Sequence, residues 1–142
     1  MIKNFIETKK INTKSDLRLL LTSHNVGFTV QGHESEETLL DILLELHGNI
    51  PDDLTLEDIL KVEYKEKKNE LAIEYKEPDH IHSQKARIEI LVPHKTIVAS
   101  NLSNGGIKLD DLIGNHNLES HNGSIKVTDN KEMLYVKHVT VL

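Results

Sequence analysis

Along most of this chain, apolar and polar residues alternate with a period of two, which places one face of a β-strand in a core and the other in water. Val26, Phe28 and Val30 alternate in this way, and residues 16–30 read as two strands bent around Ser23-His24-Asn25. Leu60, Val62 and Tyr64 alternate with charged residues, and Leu71, Ile73 and Tyr75 alternate again beyond a polar tip at residues 65–70. That is the pattern of an antiparallel hairpin near residues 60–76, its outer face charged and solvated. Residues 77–83 break the pattern as a loop, after which Ala86, Ile88, Ile90 and Val92 make a strand ending at Pro93.

Residues 34–48 fit two readings. Leu39, Leu40, Ile42, Leu43, Leu44 and Leu46 suit a short amphipathic helix or a strand buried on both faces. Leu and Glu favour helix; the neighbouring strands favour sheet, and strand is the expectation for residues 42–47. Residues 48–53 have the composition of a turn, and one helical turn can open across residues 53–58.

A repeat then sets the architecture. Ser103-Asn104-Gly105-Gly106-Ile107-Lys108-Leu109 recurs as His121-Asn122-Gly123-Ser124-Ile125-Lys126-Val127, and a more divergent echo begins at Ser23-His24-Asn25. One short strand pair cannot bury its apolar face alone, whereas copies stacked on one another share a continuous core. The expectation is an all-β, β-solenoid or β-helix-like stack of short strands with Ile107 over Ile125 and Leu109 over Val127. Asn104 and Asn122 would fall at matching corners, where Gly105 and Gly123 tolerate a left-handed backbone. The alternative is an ordinary pair of hairpins in a sandwich, with Asn-Gly turns that match by chance. The last stretch, residues 131–142, would add a capping strand.

Composition agrees with thin layers. The chain has 142 residues, the size of a single domain spanning residues 1–142, and only 4% of them are aromatic, so Leu, Ile and Val must fill the core. A net charge of −6 without a long basic run leaves nucleic acid no electrostatic footprint. The absence of cysteine excludes disulfides, cysteine-held zinc and a thiol nucleophile. Neither a secretory signal nor a membrane-length apolar segment is evident, so the default expectation is a cytoplasmic chain that stays where it is made.

The paired Ser-Asn-Gly-Gly-Ile-Lys-Leu and His-Asn-Gly-Ser-Ile-Lys-Val, the intervening Leu-Asp-Asp-Leu-Ile-Gly-Asn, the strand from Ala86 to Pro93 and the early Ser23-His24-Asn25 bend resemble the bacterial putative-adhesin domains of unknown function. The resemblance runs from about Ile11 to Val127. It implies a β-solenoid-like fold, no established catalytic activity and an adhesive or envelope-associated role.

Candidate chemistry is sparse. His80 and His82 flank Ile81 beside Asp79, a spacing that can present two imidazoles to zinc or nickel, although no third or fourth ligand is identifiable. His24 and His121 occupy matching places and would form a pH-sensitive pair if the coils brought them together. Asp52-Asp53 and Asp110-Asp111 suit calcium at turns, but the spacing of calcium-binding β-rolls is absent. Gly-x-Ser-x-Gly, His-Glu-x-x-His and a phosphate-cradling glycine loop are all missing. No residue is therefore assigned a catalytic, cofactor-binding or metal role. The expected function is a non-catalytic interaction module for an unknown protein or glycan, with self-association through sheet edges as a further possibility. The alternative is a small metal-binding protein or metal-dependent enzyme using the His80/His82 loop.

Overall fold

The computed structural model describes residues 2–128 and the backbone of residues 135–138. In chain order the elements are β1 (Ile2–Ile11), β2 (Leu17–Ser23), β3 (Phe28–His33), β4 (Thr38–Gly48), α1 (Leu56–Ile59), β5 (Leu60–Lys65), β6 (Glu70–Tyr75), β7 (Ile81–Pro93), β8 (Thr96–Leu102), β9 (Ile107–Asp110), β10 (Asn117–Ser120), β11 (Ile125–Thr128) and β12 (Tyr135–His138). The strands form two six-stranded mixed sheets, ordered β1-β4-β7-β3-β9-β11 and β12-β10-β8-β2-β6-β5. The chain is predominantly β.

Alternation decides the strands. Leu17, Leu19 and Leu21 of β2 are buried while Arg18 and Thr22 face water. In β4 the buried positions are Thr38, Leu40, Ile42, Leu44 and Leu46, a strict period of two that fixes strand over helix. Leu39 and Leu43, half-buried on the opposite face, are what lend this segment its helical look. Side chains from both sheets join in one core cluster.

Most neighbouring strands run parallel. β2 pairs with β6 on one side and β8 on the other, and β3 pairs with β7 and β9. The segment from β2 to β3 therefore lies between two stretches that come much later in the chain. Beyond it, β10 pairs with β8 and β11 with β9, and Ile125 stands opposite Ile107 and Val127 opposite Leu109, the positions the sequence spacing predicts. Phe28 lies opposite Ile107 on the other side, which puts the divergent echo next to a copy of the motif. The antiparallel pairs are β1-β4, β4-β7 and β5-β6.

The hairpin near residues 60–76 is present, and its tip is more than a solvated turn. Asn69 adopts a left-handed backbone with φ of 47°. Its Nδ2 donates to the carbonyls of Lys14 and Ser15, each at 2.9 Å, while its Oδ1 accepts the Tyr64 hydroxyl at 2.6 Å, so the tip is tied to the loop before β2.

Three segments differ from the sequence expectation. β1 is a long strand at the edge of the first sheet; Ile2, Phe5, Ile6 and Ile11 do not alternate, so the period-two signal is lost there. β7 begins at Ile81, inside the predicted loop, because the strand extends to meet β4 through a register shift at His47/Gly48. Of the predicted last strand, residues 135–138 form β12, parallel to β10; residues 131–134 and 139–142 lie outside the described residues. The helical turn at α1 is present, capped by Asp58, whose carboxylate accepts from the Thr55 backbone and hydroxyl at 2.9 Å each. Those hydrogen bonds hold its pKa below the ordinary aspartate value.

His116, buried just before β10, takes the place of a strand carbonyl. Its Nδ1 accepts the backbone N–H of Val98 at 3.0 Å, extending the ladder one residue past the β8–β10 pairing. Replacement by Phe keeps an apolar ring and strands that donor in the core. His116→Phe should lose about 2 kcal/mol in urea unfolding, seen as a lower midpoint at unchanged slope.

Candidate interaction surface

Three corners of the chain lie side by side. The Ser103 N–H donates to Ser23 O at 3.2 Å and the Asn104 N–H to His24 O at 2.7 Å. On the other side of the same corner, the His121 N–H donates to Leu102 O at 3.0 Å and the Asn122 N–H to Ser103 O at 2.8 Å. This backbone register aligns three exposed amides. Asn122 Nδ2 donates to Asn104 Oδ1 at 2.6 Å, and Asn104 Nδ2 donates to Asn25 Oδ1 at 2.7 Å. The amide column is thus held by its own side chains at a spacing set by the strands. Asn104, in the middle, both donates and accepts. Asn104→Asp removes the donor to Asn25 and places a carboxylate against its carbonyl oxygen, and it should cost about 1 kcal/mol, whereas the same change at Asn25, which only accepts, should cost less.

The glycines of these corners do a different job from the one the sequence suggests. Left-handed backbone is found at Asp16, Asn69, His80 and Asp111 among the non-glycine residues, and the positive-φ glycines are Gly48 and Gly114, so neither Gly105 nor Gly123 needs it. What they provide is room. A Cβ on Gly105 would lie 2.2 Å from Val26 O, and one on Gly123 would lie 2.1 Å from Gly105 O.

The remaining sequence candidates do not converge. His24 and His121 flank Ser103 from opposite sides, since Asn104 bonds to the carbonyl of the first and Asn122 to the carbonyl of Ser103. A whole strand's width separates each from the middle corner, so the pH-sensitive pair is not formed; His121 Nε2 instead lies 3.6 Å from Glu119. His80 sits in the turn before β7 and His82 on the exposed face of that strand, near His47 in a shallow recess with Ile2 and Asn49. His47 is engaged with Glu45 at 2.6 Å, a hydrogen bond that holds the Glu45 pKa below its usual range. Asp110 accepts the Thr128 hydroxyl at 2.9 Å, and Asp111 has His94 Nδ1 3.5 Å from its carboxylate. Among the described residues no three His, Asp or Glu side chains gather to hold a metal ion, and no helix is long and apolar enough to cross a membrane.

Two other recesses on the outer surface are lined by residues from several strands. One, about 410 Å³, lies on the outer face of the first sheet, where Leu39 and Leu91 stand opposite each other between Asp41, Glu89 and Gln31. The other, about 480 Å³, lies where the end of β6 meets the first corner and is lined by His24, Glu74, Tyr75, Glu77, Asn101 and Ser103 among others. Tyr75 is buried there and donates its hydroxyl to Gln84 Oε1 at 2.6 Å. Burial, and then the charge of Glu77, push its pKa well above the ordinary tyrosine value. The sequence gives no hint of this recess, because it joins residues some 25 to 80 positions apart through the placement of β6 beside β2. The only local sign is the break of pattern after Tyr75.

Among solved structures, a putative cell adhesion protein from Clostridium sporogenes aligns with a TM-score of 0.54 at 11% identity, covering 98% of this chain and 100% of that one. Putative adhesins from Parabacteroides merdae and Parabacteroides distasonis align with TM-scores of 0.40 and 0.41, at 18% and 14% identity. Each alignment covers 94% of this chain, but only 57% and 65% of theirs, so the chain spans less than two thirds of either. No protein-family model matches the sequence, and no curated protein does. At 11% identity along nearly the whole length of both chains, what this chain has in common with the Clostridium protein is the fold.

Proposed function

We propose that this chain is a non-catalytic β-solenoid-like interaction module, adhesive or envelope-associated, that meets a protein or glycan partner with its outer faces and corners. In this reading residues 17–33, 96–110 and 117–128 are successive coils. The observation that carries it is the in-register column Phe28, Ile107, Ile125 inside, matched by Asn25, Asn104 and Asn122 outside. Such a column repeats one polar group at the strand spacing of about 4.8 Å, a surface suited to a partner with its own regular pattern of donors and acceptors. The shared fold with a protein described as a putative cell adhesion protein supports the adhesive role.

The test is a screen of the purified protein against glycan and protein arrays, with metal analysis of the same sample. Reproducible capture of one glycan class or one protein at micromolar concentration supports the module. About one equivalent of zinc retained after dialysis, with binding lost in His80→Ala and His82→Ala, would instead favour the metal-binding alternative. Edge pairing between copies is tested by light scattering: β1 presents exposed Ile2 and Ile6, yet also Lys3, Lys9 and Lys10, the residue type that discourages such pairing.

A further inference from the structure

We infer that a recess on the outer face of the first sheet binds the oxyanion of an acidic sugar unit, an assignment that rests on the interaction-module reading and names a class of glycan for it. The recess, about 310 Å³, crosses β7, β3, β9 and β11, and its size is at the small end of the range for small-molecule sites. Three cations line it, Arg87, Lys108 and Lys126, and no carboxylate does. That runs against the balance of a chain whose net charge is −6.

Two independent observations point to a bound anion. Lys108 of β9 and Lys126 of β11 stand directly opposite each other, both exposed on the same face. Like charges in that position repel, and neither lysine has a hydrogen bond or ion pair among the described residues. An oxyanion set between them replaces the repulsion with charge-assisted hydrogen bonds. The second observation is the floor beside the lysines, which carries almost no side chain. Gly27, Gly106 and Ser124 each sit one residue before the in-register Phe28, Ile107 and Ile125. Packing requires Gly27, since a Cβ there would lie 2.4 Å from Gly106 O. Gly106 has no such reason: its backbone is not left-handed, and a Cβ would come no closer than 3.1 Å to Ser124. The fold does not demand the bare position, and what it leaves is room next to the two cations.

Arg87 bounds the recess on the β7 side. Its Nε lies 3.5 Å from Glu89, an exposed pair that contributes little and rearranges at small cost. Thr29 and Ser124 add hydroxyls that match those of a sugar. A long polyanion is opposed by the overall negative charge, whereas a single charged unit meets mainly the local cations. The ligand chemistry is therefore one oxyanion on a hydroxylated ring, which a uronic acid and a sugar phosphate both offer.

The experiment is an amide NMR titration of the full chain with glucuronate, with glucose 6-phosphate, and with glucose as the uncharged control. At least one of the acids should shift the amides of residues 27–29, 86–88, 106–108 and 124–126 saturably, and which one does so identifies the source. Glucose should shift none of them. The double variant Lys108→Gln, Lys126→Gln removes two charges that repel each other, so it should fold at least as stably as the parent. It should bind the acid about tenfold or more weakly. The proposal is overturned if neither acid gives a saturable shift, if glucose binds as well as the acids, or if the folded double variant binds unchanged. A glycan from the arrays that the double variant still captures would remove this site while leaving the module reading in place.

Discussion

Gly105→Ala is expected to destabilise the fold by about 3 kcal/mol, at the upper end of what overpacking costs, and to lower the melting temperature by roughly 10 °C. The added methyl would sit 2.2 Å from Val26 O, 2.5 Å from Val26 C and 2.8 Å from Gly27 N. All three are backbone atoms of the adjacent corner, so no side chain can rotate away and the two strands must part. The same corner is pressed from the other side, where Gly123 closes on Gly105 O. Gly106 is the control. Its hypothetical Cβ meets Ser124 O at 3.1 Å and Ser124 Oγ at 3.2 Å, a contact that small shifts can relieve. Gly106→Ala should therefore stay within about 1 kcal/mol of the parent. Equal losses for the two variants in urea unfolding would rule out close backbone approach as the reason for glycine here.

Leu19→Ala should cost about 3 kcal/mol. Leu19 is fully buried between Leu71 of β6 and Val98 of β8, its register partners on either side. Both are held by parallel ladders, so the space left by the missing atoms cannot collapse, and the cavity term adds to the lost transfer energy. Leu20→Ala removes the same atoms one residue along, from the half-buried outer face, and should cost about 1 kcal/mol or less. A difference smaller than this between the two leucines would mean that β2 is not seated as described.

Period-two alternation made β2, β3, the β5–β6 hairpin and the end of β7 legible, because each has one face in the core and one in water. The eighteen-residue offset likewise identified which residues of β9 and β11 pair. Two kinds of feature escaped. β1 has a partner on one side only and Ile6 is 77% exposed, so its pattern carries no single buried face to detect. The neighbours of β2 and β3 are set by pairing over distances of 50 residues or more, which no local spacing encodes. The candidate site shares that second cause. Glu77, Tyr75 and Asn101 are brought together by β6, β2 and β8 lying side by side, while the histidines and aspartates that looked chemical in sequence are engaged with local partners or stand apart. The corner glycines were legible as glycines, but their reason was not, since steric closeness between distant segments leaves no trace in the local backbone preference.

Because residues 17–33 are clasped between two later segments, this fold cannot be assembled by adding one layer to the last in the order of synthesis. The early piece must wait, with one flank not available until β6 and β7 exist and the other until β8 and β9 do. Loops of that length close slowly, so refolding should be a single, sluggish, all-or-none event. Trimming either flank should expose a raw sheet edge and invite aggregation rather than leave a shorter working stack.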